Sequence, residues 1–478
     1  MSRPSVRIAS AGRAGRTGLA GVVALLAASF ATHARAQGAP QAPEGAPVPR
    51  VVLPNGLVVL LAEDHKAPVV GLELRYPVGS RDDPPGRPGL AALTQRLMVR
   101  ATKHLAPGQY ERELDAAGAW DVKSTTSLDR TEFHAEVPAD RLALPLWLWS
   151  DQMGFFVERV DDKLVAEQLA VVLDEHTQKV DSAPAGRLHD LVDAAMYPPE
   201  HPYHGGWLRG STELASVTVR EVRAFAEAHY RPDQATLALA GDLESVRALA
   251  LVHRYFAPVG TAGKPVRADG RRPHLDREVR LTVAAHVELP MVMLAWSTPP
   301  SHAPGDAELD LVAQILAGSR AGWLRWKLVD ELKIATQVTA HQSSRELGSQ
   351  FAVEATATRG HRPEELVDAI DHVLEKLRAS PPDDYATEGA TTGYLVDPSF
   401  GLEQSGARAD RFAECEEYRV PGGCVEAWLT RYTSIHAADL TAVAVRELPV
   451  DRRVVAMVFP ADDAPIGGEL RDVAPRQR

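Results

Sequence analysis

The chain has 478 residues, of which 45% are hydrophobic and 24% are charged. This composition is typical of a folded globular protein and excludes wholesale disorder, and the length predicts about two to four domains. The formal net charge of −12 makes the chain a poor candidate for a nucleic-acid-binding protein.

The first 36 residues predict an export signal. Four arginines precede the apolar segment LAGVVALLAASFA, and the small-residue cleavage sequence Ala34-Arg35-Ala36 follows it. We therefore expect a signal peptide at 1–36 and a mature chain that begins at Gln37, with a formal charge of −17 because five arginines are removed (−12 − 5). An uncleaved membrane anchor is the alternative, although the apolar segment is short for a membrane span.

The mature chain begins with a predicted disordered leader at 37–49, rich in Ala, Pro and Gly. The segment RVVLPNGLVVLLAEDH then predicts two strands around a Pro-Asn-Gly turn. Apolar residues at helical spacing predict helices in DRLALPLWLWSDQMGFF, LVAEQLAVVLDEHTQKV and REVRAFAEAHY, and strands are predicted in TEFHAEV, ATLALAG and SQFAVEATA. Because helices and strands segregate, we expect an α+β class, with mostly antiparallel sheets and helices packed on one face.

An internal repeat divides the chain into two similar domains. Leu72 in VVGLELRY matches Val292 in LPMVMLAW at an offset of 220, and Val222 matches Leu440 at an offset of 218. Two segments at opposite ends of the unit share nearly one offset, which indicates duplication. The predicted parts are an N-terminal domain at 50–258, a linker at 259–277, a C-terminal domain at 278–462 and a flexible tail at 463–478.

Three long segments of the chain occur in an order that typifies one family. They are LPNGLVVLLAEDHKAPVVGLELRYPVGSRDDPPGRPGLA, HPYHGGWLRGSTELASVTVREVRAFAEAHYRPDQATLALAGDL and LAWSTPPSHAPGDAELDLVAQILAGS. Together they resemble the insulinase (pitrilysin) family of zinc peptidases, which includes the mitochondrial processing peptidase type and its bacterial two-domain relatives. The resemblance covers about residues 48–462, implies two homologous domains, and favours a Gram-negative periplasm as the compartment.

The resemblance places the family's inverted zinc motif, H-x-x-E-H, in GLAALTQRLM. In active members the two histidines bind zinc from one helical face, the glutamate is the general base, and a downstream glutamate is the third ligand. Here Ala92, Gln95 and Arg96 take the motif positions, and only Glu175 keeps a ligand. Alanine has no donor atom, an amide takes no proton near neutral pH, and a guanidinium repels a cation. We therefore expect no catalytic residue and no zinc at this motif.

Other family positions are altered as well. Lys123 and Ser124 replace an Asn-Ala pair thought to hold substrate backbone, and Trp323 and Thr336 replace an Arg and Tyr pair that contacts substrate. We keep Lys123 and Trp323 as candidate substrate-contacting or structural residues. The nearby arginines that could replace the missing one are Arg320 and Arg325.

Arg96 stands where a zinc ligand stood, and Glu175 is the ligand that remains. A buried, unpaired carboxylate is costly, so we expect Arg96 and Glu175 to form a salt bridge at the former metal position. The alternative is that Arg96 extends into solvent.

Histidines outside the motif are weak candidates for a replacement metal site, and the cysteines predict a disulfide. Adjacent helical residues point about 100° apart and do not chelate together, so His176 beside Glu175, and His104, are expected to be solvated surface groups. Cys415 and Cys424 are the chain's two cysteines, and an oxidising compartment favours a bond between them over two free thiols. The histidines expected to serve turn and packing roles are His201 and His204.

The resemblance implies that two such chains pair around a peptide cavity, with zinc in one partner. We therefore expect an exported, catalytically inactive homologue that is the non-catalytic subunit of a peptide-cleaving complex, its zinc carried by a homologous partner. The alternatives are an active zinc metalloendopeptidase and a homodimeric peptide-binding or structural protein. Peptides are the expected substrates, and no nucleic-acid partner and no membrane span after signal cleavage are expected.

Overall fold

The computed structural model describes residues 48–100, 102–205, 211–261, 267–420 and 423–475. The predicted signal peptide and most of the predicted leader lie outside these residues. Among the described residues, no helix has the length and apolarity of a membrane span.

The first half of the chain alternates blocks of strands and helices. Its elements, in chain order, are β1 (Arg50–Val52), β2 (Val58–Glu63), β3 (Val69–Tyr76), α1 (Leu90–Arg100), α2 (Gln109–Ala116), β4 (Trp120–Thr126), β5 (Thr131–Pro138), α3 (Ala143–Phe155), α4 (Asp162–His176), α5 (Leu188–Met196), α6 (Ser211–Leu214), α7 (Val219–His229), β6 (Thr236–Gly241) and α8 (Ser245–Phe256).

The second half repeats this order with few changes. Its elements are β7 (Val279–Ala285), β8 (Met291–Thr298), α9 (Asp306–Ala317), α10 (Trp323–Arg325), β9 (Ala335–Ser343), β10 (Ser349–Ala357), α11 (Pro363–Ala379), α12 (Asp384–Gly401), α13 (Ser405–Glu417), α14 (Cys424–Thr433), α15 (Ala437–Glu447), β11 (Val454–Pro460) and β12 (Glu469–Pro475).

Two sheets of six described strands have matching orders, β1-β2-β6-β3-β5-β4 and β12-β7-β11-β8-β10-β9. In each sheet one pair is parallel, β2 with β6 and β7 with β11, and the other neighbours are antiparallel. The predicted α+β class with two mostly antiparallel sheets is therefore confirmed.

The end of the chain differs from its prediction as a flexible tail. Residues 469–475 form β12, which pairs antiparallel with β7. Without this strand β7 would present unpaired backbone N–H and C=O groups along its edge. The segment lacks the apolar alternation that predicts a strand. Its position is therefore set by backbone pairing with β7.

The strand pattern of β3 and the helical pattern of α1 place their apolar side chains in one core, the first. Leu72 and Leu74 of β3 point to the same face and are fully buried. Leu93 and Leu97 of α1, one turn apart, are buried against that face in the same apolar cluster. The sheet thus buries one side of α1, and the other side of this helix is left to carry the former motif positions.

One helix of each half packs on the sheet of the other half, which the sequence did not predict. Helix α5 packs with the apolar side chains of β7, β8 and β11 in one cluster. Helix α13 packs through Ala409, Phe412 and Ala413 against β2 and β6. Both sheets are therefore covered on two faces, and the halves cannot be separated without exposing apolar surface.

Small residues allow α13 to approach the first sheet closely. A Cβ atom at Gly71 of β3 would overlap the backbone of Ser405 and Gly406 at the start of α13. Further along the helix, a buried arginine of β3, Arg75, lies 3.0 Å from Glu417 and also pairs with Asp410. Helix α13 is thus held by close backbone packing at one end and by ion pairs at the other.

Acidic side chains surround the buried guanidinium of Arg75. Burial lowers the pKa of Arg75, but four neighbouring carboxylates outweigh that effect and raise the pKa above its ordinary value. A charge buried in this way stabilises only when it is paired, and removing one partner leaves the other uncompensated. Beyond the helix, a disulfide joins Cys415, near the end of α13, to Cys424 at the start of α14.

We predict that Gly71→Ala will lower the free energy of unfolding by about 1–3 kcal/mol, because the added methyl group forces α13 away from the sheet. Urea denaturation followed by circular dichroism measures this change. The control is Gly389→Ala in α12, where an added Cβ meets no atom within 4 Å, and it should be neutral or stabilising by up to about 1 kcal/mol. Equal effects of the two substitutions would contradict the docking argument.

Candidate functional site

Helices α1 and α4 lie side by side and carry the former zinc positions. Helix α1 begins where the Asp83 carboxylate accepts hydrogen bonds from the backbone N–H groups of Gly89 and Ala91, at 2.6 and 2.8 Å. Helix α4 begins at Asp161, whose side chain accepts from the backbone N–H of Leu164 at 2.8 Å. Local capping therefore fixes both helices without a metal.

The motif residues occupy the face of α1 that the apolar core leaves open. Ala92 and Gln95 are buried, and the Arg96 side chain retains 27% of its exposure. Positions i, i+3 and i+4 of a helix share one face, so the helix brings positions 92, 95 and 96 to one side, as the resemblance to the inverted zinc motif implies. The side chains on that face, however, supply neither an imidazole nor a carboxylate.

Arg96 and Glu175 are brought together, as the sequence predicted. Arg96 Nη2 donates to Glu175 Oε2, so Arg96 does not extend freely into solvent. Lys179 Nζ donates to the other carboxylate oxygen, Glu175 Oε1, at 2.6 Å. Both oxygens of the one retained zinc ligand therefore face cationic donors.

The contact between α1 and α4 continues one turn further along α1. Arg100 Nε donates to Gln168 Oε1 of α4 at 3.3 Å, and Arg100 Nη1 donates to Glu111 of α2 at 2.7 Å. Arginines at 96 and 100 thus join α1 to α4 and α2.

The electrostatics of Glu175 favour the charged carboxylate. Burial raises the pKa of Glu175, but the hydrogen bonds from Lys179 and Arg96 outweigh it, so the pKa lies below its ordinary value. A metal ion would have to displace two cations from this group and would find no second protein ligand on α1. The residues at this position do not fit catalytic zinc.

Histidines near the former site are engaged elsewhere. His104 Nδ1 contacts Asp151 Oδ1, and its ring packs edge-on against Phe155 at 5.4 Å. His176 is buried, and its Nδ1 lies 3.5 Å from Asp181. Among the described residues, the groups of side chains close enough to share a metal include neither of them, nor Glu175. The prediction of His176 as a solvated surface group is wrong, because its ring is turned into the protein.

His201 and His204 hold the loop that follows α5. His201 Nδ1 accepts from the backbone N–H of Tyr203 at 3.1 Å, and His204 Nδ1 lies 2.7 Å from the carbonyl oxygen of Tyr197. The His201 ring also packs on the Tyr197 ring at 4.8 Å. These contacts are the turn and packing roles expected from the sequence.

The first sheet ends at β4, the strand that carries Lys123 and Ser124. Lys123 is largely exposed and pairs with Asp121, two residues earlier. The described residues place no strand on the outer side of β4, and two of its apolar side chains, Trp120 and Val122, are 41% and 44% exposed. This edge lies beside α1 and offers backbone hydrogen-bonding groups to a peptide.

The second-half candidates do not join the α1–α4 cluster. The Trp323 ring is partly buried against the second core, with Lys376 Nζ of α11 at 4.4 Å from its centroid. Thr336 is exposed, and its hydroxyl donates to the Thr356 carbonyl at 3.2 Å. Trp323 therefore acts in packing. Of the two arginines proposed as replacements, Arg320 is exposed and Arg325 is half-buried in α10.

Sequence reasoning missed Lys179, which completes the neutralisation of Glu175. Its position four residues after Glu175 is the spacing at which a helix pairs charges, so a signal was present. The structure extends α4 through a π-helical turn at Thr177–Asp181, and this turn carries Lys179 to the carboxylate.

We predict that Glu175→Gln will lower stability by up to about 1 kcal/mol above pH 4.5 and by less in acid. The folded pKa of Glu175 lies below the unfolded value of 4.5. Its contribution is therefore fully present above pH 4.5 and is lost as the pH falls through the folded pKa. Thermal unfolding of both proteins across this range measures the difference. The control is Glu167→Gln on the same helix, whose carboxylate faces Lys163 at 3.8 Å; an equal pH response there would contradict the assignment to Arg96 and Lys179.

Comparisons with known proteins agree with this geometry. Residues 58–202 match the family described as Insulinase (Peptidase family M16), and residues 216–393 match the family described as Peptidase M16 inactive domain. The zinc protease PqqE of Helicobacter pylori is 24% identical over 398 residues, which cover 82% of this chain and 88% of that protein.

Solved structures share the fold over most of the chain. A protease from Helicobacter pylori superposes with a TM-score of 0.81 at 23% identity, covering 86% of this chain and 99% of that one. The periplasmic protease PqqL from Escherichia coli gives 0.68 at 15% identity, covering 89% of this chain and 48% of that one. The chain belongs to the insulinase (peptidase M16) family.

Proposed function

We propose that this chain is an exported, catalytically inactive member of its family that acts as the non-catalytic subunit of a peptide-cleaving complex. A homologous chain with an intact H-x-x-E-H motif supplies the zinc. The observation that carries the proposal is the saturation of Glu175 by Arg96 and Lys179. The two side-chain cations neutralise the one remaining acidic ligand, so the carboxylate is paired without a metal ion.

Retention of the surrounding structure supports a role in binding. Both helices are capped and packed, and the edge of β4 is exposed beside them. An extended peptide can add to such an edge through backbone hydrogen bonds, with selectivity from the side chains that it meets. The exposed Trp120 and Val122 and the ammonium group of Lys123 would then contact the peptide.

Charge and relatives support the compartment and the partner. The export signal predicted at 1–36 fits a periplasmic location, and the structurally similar PqqL is described as periplasmic. Removal of that signal leaves a formal charge of −17 (−12 − 5), which suits neutral or basic peptides.

A homodimeric peptide-binding protein is the second candidate, because the exposed β4 edge favours peptide binding without requiring a zinc-bearing partner. An active zinc endopeptidase is the weakest reading, since it needs ligands that α1 does not provide. The identity of the partner distinguishes the non-catalytic subunit from the homodimeric binding protein. Cleavage by the isolated chain would identify an active peptidase.

We predict that the mature chain alone will not cleave unstructured peptides and that cleavage will appear with a zinc-bearing homologue from the same genome. Purified chains, singly and mixed, are assayed with quenched fluorogenic peptides, and complex formation is followed by size exclusion with light scattering. Substituting the partner's motif glutamate with glutamine should abolish the activity, while Glu175→Gln in this chain should leave it.

Two outcomes decide against the subunit proposal. Cleavage by the isolated chain that is lost on Glu175→Gln would make it an active peptidase. A stable homodimer that forms no complex with any such homologue and still binds peptides would favour the binding protein.

We also predict that the triple substitution Ala92→His, Gln95→Glu and Arg96→His will add one zinc ion per chain relative to the parent, because the backbone geometry and Glu175 are retained. Metal analysis by mass spectrometry measures the increment. The double substitution without Gln95→Glu should bind the added zinc but support no cleavage, since it lacks the general base. A folded triple variant with no added zinc would show that the helices have moved from the family's arrangement.

A further inference from the structure

A second group of ligand-type side chains lies at the junction of β4 and β5, on the face of the first sheet that α13 covers. Asp121, His134 and Glu136 each offer one donor atom, and these atoms lie within 4.8 Å of one another. The group contains neither a former motif position nor Glu175. It combines an imidazole and two carboxylates, which are ordinary ligands of divalent transition metals.

The histidine of this group is oriented by a buried acid. Glu73 of β3 is buried, and its Oε2 lies 3.0 Å from His134 Nδ1. The other ring nitrogen, Nε2, is buried and makes no hydrogen bond. A carboxylate on one imidazole nitrogen, with the second nitrogen directed at further ligands, is the arrangement that fixes metal-binding histidines.

A β-bulge brings the first carboxylate to the histidine. Trp120 pairs with Glu136 and Lys123 with His134, so two residues of β4 lie opposite a single residue of β5 and one residue is inserted in β4. Asp121 has φ = 49°, a left-handed conformation that aspartate tolerates better than most residues. Its Oδ2 lies 3.4 Å from His134 Nε2, while Oδ1 receives Lys123. One carboxylate oxygen therefore remains directed at the cluster.

Helix α13 approaches the cluster closely at Gly406. A Cβ atom at Gly406 would stand 2.7 Å from His134 Nε2 and 2.8 Å from Glu136 Oε1. A side chain at 406 would therefore displace both donor groups, and glycine leaves them in place. Two donors about 2.0–2.2 Å from a tetrahedral zinc ion lie about 3.3–3.6 Å apart. The 3.4 Å between Asp121 Oδ2 and His134 Nε2 matches this spacing.

A neighbouring acidic cluster is already paired with a side-chain cation. Glu73, Glu132 and Asp410 also bring carboxylate oxygens together, but the guanidinium of Arg75 lies among them, 2.8 Å from Glu132 and in contact with Asp410. Arginine already supplies the cation there. No guanidinium contact of this kind is found for Glu136 among the described residues.

We propose that Asp121, His134 and Glu136 bind one divalent transition-metal ion, with zinc favoured by the imidazole. Three protein ligands leave a coordination position for water, and the 37% exposure of the Asp121 side chain places that position toward solvent. The ion would join the bulge of β4 to β5 beneath α13 and so stiffen the sheet edge. The proposal does not depend on the proposed function, because metal binding is measured without cleavage.

The test is calorimetric titration of zinc chloride into the mature chain after treatment with EDTA and dialysis. We expect one zinc ion per chain and a rise in the midpoint of thermal unfolding with zinc concentration. Asp121→Asn and Glu136→Gln should each weaken binding at least about 100-fold, since loss of an outer partner alone costs about 10–100-fold. Asp121 is exposed enough that its variant folds even if Glu136→Gln does not.

Two controls keep the assignment specific. Glu175→Gln removes the acid of the former motif, and His361→Gln removes a histidine that pairs with Glu365 at 2.8 Å; both should bind zinc like the parent chain. A folded parent chain that binds no zinc would overturn the proposal. Unchanged affinity in Asp121→Asn, or loss of binding in Glu175→Gln, would overturn it as well.

Discussion

The docking of α13 on the first sheet is the constraint on which the rest of the structure depends. Gly71 and Gly406 allow the backbones to approach, and Arg75 pairs with the acids of the helix. The reciprocal helix, α5, covers the second sheet. Because α13 covers one face of the first sheet, α1 and α4 pack on the other face. The helix positions that the family's zinc motif occupies therefore rest on this packing of helices against the first sheet.

The motif positions and the core contacts of α1 belong to separate sets of side chains. Leu93 and Leu97 pack α1 against the sheet. They form the apolar face that an amphipathic helix buries. Ala92, Gln95 and Arg96 lie on the other face, where substitution removes ligands without opening the core. Arg96 even contributes, since it pairs with the acid that zinc would otherwise neutralise. The residues found at the motif positions therefore leave the core contacts of α1 intact.

The sequence predicted the features that depend on local pattern. Alternation in β3, the helical spacing of α1 and the pairing of Arg96 with Glu175 could all be inferred from single segments and the resemblance. The helix exchange could not, because Ala409 and Phe412 show an apolar face without showing which sheet it covers. The group of Asp121, His134 and Glu136 also escaped prediction, since it needs the register of two strands and a bulge between them. Sequence periodicity does not show which distant segments of the chain pack together.

The helix exchange has a consequence for how the chain reaches its native state. Arg75 meets Asp410 across 335 residues of sequence, so one face of the first sheet stays uncovered until nearly the whole polypeptide is available. Contacts of such high sequence separation form slowly and leave apolar strands exposed to association in the meantime. A chain that crosses a membrane unfolded, N-terminus first, would meet this problem during translocation. The yield of folded protein would then depend on how long the first sheet stays uncovered, and not only on the stability of the native state.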